Sequence, residues 1–267
     1  EMPLVQVNAV NIYYERHGEG DSPPVLFIRG TGADGTRWMP QVNAYKSEVP
    51  CVIFDGRGAG RSDTTAAPYT VEQMAGDTIA LMDHLELESA HISGSSLGGA
   101  IGLYMAAHHP ERVRTLQLHS SWLATKGFAA YSLGLLKKIL LAGGADFYYD
   151  VTLPLLFSPT YMMNNFDDLM AILAHMKANP ATDDGLLGQI EANLTHDLSN
   201  DVSRVRAPTL ITVGELDYLL PVSCSQELQQ AIDGSELVIF PGCGHLATME
   251  SSEEFNTTTL DWLRPHL

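Results

Sequence analysis

The string Gly94-Ser95-Ser96-Leu97-Gly98, followed at once by Gly99, restricts what this chain can build more than any other feature. It follows a short apolar run, Ala90-His91-Ile92-Ser93, and precedes a helix-like stretch at 100–109. A strand that becomes a helix within a residue or two forces the residue at the bend into a strained backbone. Glycines on either side let neighbouring chain come close without a Cβ in the way. Read as G-x-S-x-G, the motif presents the Ser96 hydroxyl at a helix N-terminus, where backbone N–H groups and the helix dipole favour a developing negative charge. The bare string is weak, and a glycine- and serine-rich turn is its plain reading. Strand before and helix after make Ser96 a candidate nucleophile.

A serine hydroxyl is a poor nucleophile until a base removes its proton, and that base needs a third group to fix its tautomer and stabilise its charged form. Val213-Gly214-Glu215-Leu216-Asp217 leaves an apolar strand just before Pro221, and Gly242-Cys243-Gly244-His245 follows the next strand. Both loops fall at the carboxyl edge of the sheet, where open α/β sheets bind their ligands, so Asp217 and His245 are expected to converge with Ser96. Of the ten histidines, His119 also ends a strand and is the rival base; Glu215, two residues nearer its strand, is the rival acid. An acyl intermediate also needs oxyanion donors. The N–H of Leu97 is one candidate, and Thr31, in the loop Arg29-Gly30-Thr31-Gly32, supplies the other. Arg29, Gly30 and Trp122 are the candidate substrate contacts. This chemistry requires neither a metal nor an organic cofactor.

Hydrophobic periodicity organises the rest. Alternating segments at 4–7 and 12–15 bracket Asn8-Ala9-Val10-Asn11 and read as an N-terminal hairpin. Runs at 25–28, 52–54, 90–92, 113–118, 210–213 and 237–240 are short, continuous and rich in β-branched residues, as strands buried on both faces are. A mostly parallel sheet follows. Thr70 and Gln73 form a capping box for a helix that runs on to Leu85; 222–232 and 251–263 read as further helices. The alternation breaks once, between 120 and 203, where leucine-, methionine- and aromatic-rich segments show no strand. The expected organisation is a core at 1–120 and 203–267 with a helical cap at 121–202, whose methionines suit an adaptable apolar pocket.

Thirty-two acidic against fifteen basic residues give a formal charge of −17. Such a surface repels phosphate backbones and anionic lipid, so neither nucleic acid nor membrane is expected as a partner. No apolar run reaches bilayer-spanning length, and the first residues lack a basic stretch followed by a hydrophobic core; a cytoplasmic protein is expected. Cys51, Cys224 and Cys243 are odd in number and scattered, which suggests neither a disulfide framework nor a zinc site.

With the Gly94–Gly99 turn, Asp55-Gly56-Arg57-Gly58-Ala59-Gly60-Arg61-Ser62, Gly214-Glu215-Leu216-Asp217 and Gly244-His245 assembled in the order Ser, Asp, His, the chain resembles the α/β-hydrolase fold superfamily over essentially its whole length. It is most similar to the lactonase, esterase and cofactor-free haloperoxidase-type members, including enol-lactonases. The resemblance implies an eight-stranded, mostly parallel sheet flanked by helices, with the cap inserted after the sixth strand. It also implies a serine hydrolase acting on a small ester, lactone or ketone substrate; homo-oligomer formation is left open. Members usually carry His-Gly at the oxyanion loop, where this chain has Arg29-Gly30. The carbon–carbon bond hydrolases of the superfamily commonly place a tryptophan shortly after the catalytic histidine, where this chain has Thr248-Met249. Cleavage of diketones by the same residues is therefore the second reading, and a catalytically silent ligand receptor the third. Ser96 stands where epoxide hydrolases and haloalkane dehalogenases have an aspartate nucleophile, which disfavours those chemistries.

Overall fold

The computed structural model describes residues 4–178 and 181–267, so the first three residues of the expected core and residues 179–180 of the expected cap lie outside it. In chain order the elements are β1 (Leu4–Val7), β2 (Val10–His17), β3 (Val25–Ile28), α1 (Met39–Tyr45), β4 (Cys51–Phe54), α2 (Val71–His84), β5 (Ala90–Ser95), α3 (Leu97–His108) and β6 (Val113–His119). Then come α4 (Gly127–Leu156), α5 (Pro159–Asn164), α6 (Phe166–Ala178), α7 (Asp183–Thr195), β7 (Thr209–Gly214), α8 (Val222–Ala231), β8 (Glu236–Phe240), α9 (Ala247–Glu250) and α10 (Ser252–Leu263).

The eight strands form one sheet in the order β1-β2-β4-β3-β5-β6-β7-β8. Only β1 against β2 and β2 against β4 are antiparallel; the other five pairings are parallel. The central strands β3 to β7 are buried almost throughout, which is why they read as unbroken apolar runs. The last strand departs from that expectation. As an edge strand, β8 leaves Glu236 and Ile239 exposed and buries only Phe240 fully.

One face of the sheet packs on α2, α3 and α8, the other on α1 and α10. Helix α3 carries almost no polar face, because it is buried nearly all round between the sheet and its neighbours. Thr70 caps α2 by accepting from the Gln73 N–H. The hairpin is tighter than its sequence suggests: β2 begins at Val10 and pairs with Val7, leaving the two-residue turn Asn8-Ala9. Both residues have positive φ (45° and 63°), as the turns that match strand twist require. The Asn8 side chain holds the bend by donating to Asp77 (3.2 Å).

The Asp55-to-Ser62 motif proves to be a structural knot below the sheet edge. Asp55 accepts from the N–H groups of Gly35 and Arg61 and from the Arg61 guanidinium. Arg57 makes a two-pronged, buried ion pair with Asp77 of α2 (2.8 and 2.9 Å), which welds the turn after β4 to that helix.

Between β6 and β7 the chain leaves the sheet for α4 to α7. The two ends of this excursion are pinned by an isolated bridge between Ala124 and Asp197, with Thr125 N–H donating to His196 O (2.8 Å). Helix α4 corrects the expectation that no apolar segment has bilayer-spanning length, since it meets that requirement by length and composition alone. Gly144, at φ 69° and ψ −170°, breaks it into two helices, and Leu133, Leu136, Ile139 and Leu140 are buried in the main core. The other described helices are too short or too polar to qualify.

A prediction follows from the Arg57–Asp77 pair. Replacing Asp77 with Asn leaves a guanidinium buried without its counter-charge, and losing one member of such a pair typically costs ~3–5 kcal/mol. Urea unfolding of Asp77→Asn should show a midpoint lowered accordingly, while an unshifted midpoint would show that the pair does not hold α2 to the sheet.

Candidate active site

Ser96 is the single residue between β5 and α3, and its backbone sits at φ 54°, ψ −118°, a conformation that an L-residue adopts only when its surroundings enforce it. The enforcement is visible. Ser96 N–H donates to the His119 carbonyl (2.8 Å), its own carbonyl accepts from Gly99 and Ala100 N–H, and the Ser121 hydroxyl adds a further bond (3.1 Å). The close approaches need glycine. A Cβ on Gly98 would lie 2.1 Å from the Ile28 carbonyl oxygen, and one on Gly30 only 3.0 Å from the Ser96 Cβ. The turn and the loop after β3 are therefore pressed together, and the Leu97 and Thr31 amides belong to these two abutting segments. Leu97 N–H, in the first helical turn, has no intrahelical acceptor. Among the described residues, Thr31 N–H donates to no backbone carbonyl.

Asp217 and His245 meet as expected. Asp217 is buried in the loop after β7, where Oδ1 accepts from the N–H groups of Leu219 (3.0 Å) and Leu220 (2.8 Å). Its other oxygen, Oδ2, lies 2.7 Å from His245 Nδ1. That contact consumes Nδ1 and leaves Nε2 as the nitrogen free to exchange a proton. The loop after β8 is held by Ser120 Oγ donating to the His245 carbonyl (2.9 Å) and by Leu216 N–H donating to the Cys243 carbonyl (2.8 Å). Ser96 and His245 line one cavity of about 980 Å³, counted out to its open mouth. Among the described residues no hydrogen bond joins the Ser96 hydroxyl to the imidazole. Such bonds are often long in unliganded sites and tighten around substrate.

The rivals fall away on geometry. His119 is bound from both sides, Nε2 to Ser93 Oγ (3.0 Å) and Nδ1 to Thr212 Oγ1 (2.8 Å), and its ring packs against Trp38 and Phe255. Burial, reinforced by the nearby Arg29 charge, pushes it down to about 3, so it stays neutral at pH 7. Glu215 instead accepts from Gly242 N–H (2.9 Å) and steadies the histidine loop.

Of the candidate substrate contacts, Arg29 and Gly30 line the cavity. Trp122 does not. It is buried where the inserted helices meet the sheet, its indole N–H donates to Thr125 Oγ1 (2.7 Å), and its ring packs edge-on against His196. An aromatic at the neck of an insertion is needed there for packing.

Three residues that sequence reasoning did not single out tie α4–α7 to the site. Gln189 of α7 accepts from Gly32 N–H (2.7 Å), and Asn193 of the same helix donates to Thr31 Oγ1 (2.8 Å), so one helix clamps the loop after β3. Glu250 accepts from Gly244 N–H (3.0 Å), from Ser158 N–H (2.8 Å) and from the Ser158 hydroxyl, joining the histidine loop to the C-terminal end of α4. No local pattern marks these roles, because each depends on a partner far away in sequence.

A family model described as the alpha/beta hydrolase fold matches residues 23–154. A protein of Caulobacter sp. (strain K31) named "Putative carbamate hydrolase RutD" is 32% identical over 94% of this chain and 95% of its own length. The chain belongs to the α/β-hydrolase family. This hydrolase also superimposes on the enol-lactonase from Burkholderia xenovorans LB400 with a TM-score of 0.90 at 28% identity, covering 98% of one chain and 100% of the other. MGS-M2, an alpha/beta hydrolase enzyme from a Medee basin deep-sea metagenome library, shares the fold at TM-score 0.91 and 24% identity, over 98% and 97% of the two chains.

Glu250 offers a direct test of the tie between the inserted helices and the histidine loop. Glu250→Ala strands the N–H groups of Gly244 and Ser158, and an unsatisfied buried donor costs about 1–3 kcal/mol. The expected result is a lower denaturation midpoint together with faster proteolysis near residues 156–160; a midpoint equal to that of the parent protein would remove the tie.

Proposed function

We propose that this protein is a serine hydrolase that cleaves a carboxylic ester or lactone through an acyl-enzyme intermediate, with α4–α7 acting as the cap over its pocket. The observation that carries the reading is the strained Ser96 sharing one cavity with an imidazole whose other nitrogen is held 2.7 Å from a buried carboxylate. The Ser96 hydroxyl attacks the substrate carbonyl carbon as His245 Nε2 takes its proton. Asp217 fixes the ring and stabilises the imidazolium. The carbonyl oxygen becomes an oxyanion facing the N–H groups of Leu97 and Thr31, preorganised donors aimed where charge develops. Collapse of this intermediate expels the alkoxide, which receives the proton from His245. Water, deprotonated by the same imidazole, then attacks the acyl carbon, and the second tetrahedral intermediate releases the acid and returns the proton to Ser96.

The enol-lactonase similarity supports an ester or lactone. The name borne by the Caulobacter relative brings carbamates into the same class, since a carbamate carbonyl would be attacked in the same way.

Hydrolysis of p-nitrophenyl butyrate tests the mechanism. Ser96→Ala and His245→Ala should each lose at least about a thousandfold in kcat, and Asp217→Asn about ten-thousandfold through the wrong tautomer. A fluorophosphonate should label the parent protein and spare Ser96→Ala. Turnover by Ser96→Ala at the parent rate would end the serine mechanism.

A further inference from the structure

The charges around the cavity run against those of the whole chain. Acidic residues outnumber basic ones by thirty-two to fifteen, yet the cavity wall contains two arginines, Arg29 and Arg37, and no aspartate or glutamate among the described residues. Asp217, behind His245, has a side chain with no exposed surface. Neither arginine has a carboxylate within 4.0 Å among the described residues. Asp34, the acid in the neighbouring loop, is occupied instead with the Thr36 N–H and hydroxyl.

Arg29 is the unusual one of the pair. Its Nε and Nη1 are buried with no hydrogen-bond partner, and its guanidinium lies over the Trp38 ring, 4.9 Å from the centroid. Burial and the proximity of Arg37 draw it down to about 10 against a smaller upward pull from the Asp34 carboxylate, so the group still carries its charge at neutral pH. A buried charge with unanswered N–H groups is expensive, and a stacked ring returns only part of that cost. An anion supplied by a ligand would return the rest.

We propose that Arg29, assisted by Arg37, selects a substrate that carries a free carboxylate in addition to the bond that is cleaved. The proposal rests on the hydrolase reading above and specifies its substrate class. A guanidinium presents a planar fork of donors that matches a carboxylate, and Arg29 directly precedes Gly30, the residue pressed against Ser96. The remainder of the wall is largely leucine, methionine and tyrosine, which suits an apolar spacer between the carboxylate and the reacting carbonyl.

The test compares monomethyl glutarate and monomethyl adipate with methyl pentanoate and methyl hexanoate, neutral esters of similar length, by pH-stat titration. The expected result is a kcat/KM at least about tenfold higher for one of the anionic esters, a ratio that falls toward unity in Arg29→Met and, less steeply, in Arg37→Met, whatever those variants do to the neutral esters. A second measurement needs no variant: adipate should inhibit hydrolysis of p-nitrophenyl butyrate by the parent protein competitively, and adipamide should not. Neutral esters turned over as well as anionic ones, a ratio untouched by Arg29→Met in a folded variant, or equal inhibition by diacid and diamide would each overturn carboxylate selection. Those outcomes leave the hydrolase reading standing, because that reading fails only if Ser96-dependent turnover of p-nitrophenyl butyrate is absent.

Discussion

The site depends on one contact between backbones: the turn at Ser96 against the loop after β3. Because Gly98 and Gly30 carry no side chain, the Ile28 carbonyl and the Ser96 Cβ can occupy space that any other residue would fill. That closeness presses the segment that contains Leu97 against the one that contains Thr31. It also holds Ser96 at a positive φ, which costs of order 1–3 kcal/mol and persists only because the surrounding structure insists on it. The His119 carbonyl and the Ser121 hydroxyl are part of that insistence. The end of β6 and the residues just after it thus shape the turn at Ser96.

Features encoded locally were legible in the sequence. The central strands announced themselves as apolar runs because both of their faces are covered, and the helix after Thr70 did so through its cap. Asp217 and His245 could be chosen from many acids and ten histidines because each follows a strand at the sheet's carboxyl edge. What escaped depends on distant partners. The true length of the first hairpin turn rests on two non-glycine residues accepting positive φ with help from Asp77, 69 positions after Asn8. Helix α1 was not anticipated, and the edge position of β8 is a property of the finished sheet. Trp122 could not be told from a pocket residue until the inserted helices were seen to close over it. Gln189, Asn193 and Glu250 are ordinary polar residues until the helices that bear them, or that they reach, dock.

Charge is distributed for two purposes. The excess of carboxylates keeps most of the surface negative, and many of the buried acids are answered by structural donors: Asp55 by Arg61 and backbone amides, Asp77 by Arg57, Asp217 by two backbone amides and an imidazole. The cavity wall reverses that sign, and it does so where two nitrogens of the Arg29 guanidinium have found no hydrogen-bond partner.

The attachments of α7 and α4 have a mechanical meaning. Gln189 and Asn193 grip the loop after β3; Glu250 and the Leu246 N–H bond to the Leu156 carbonyl grip the loop after β8. Moving α4–α7 away from the sheet as one rigid plate would break both grips. The stretch of α6 that lines the cavity with Ile172, Leu173 and Met176 has neither grip, and its unbranched and branched apolar side chains can yield by changing rotamer.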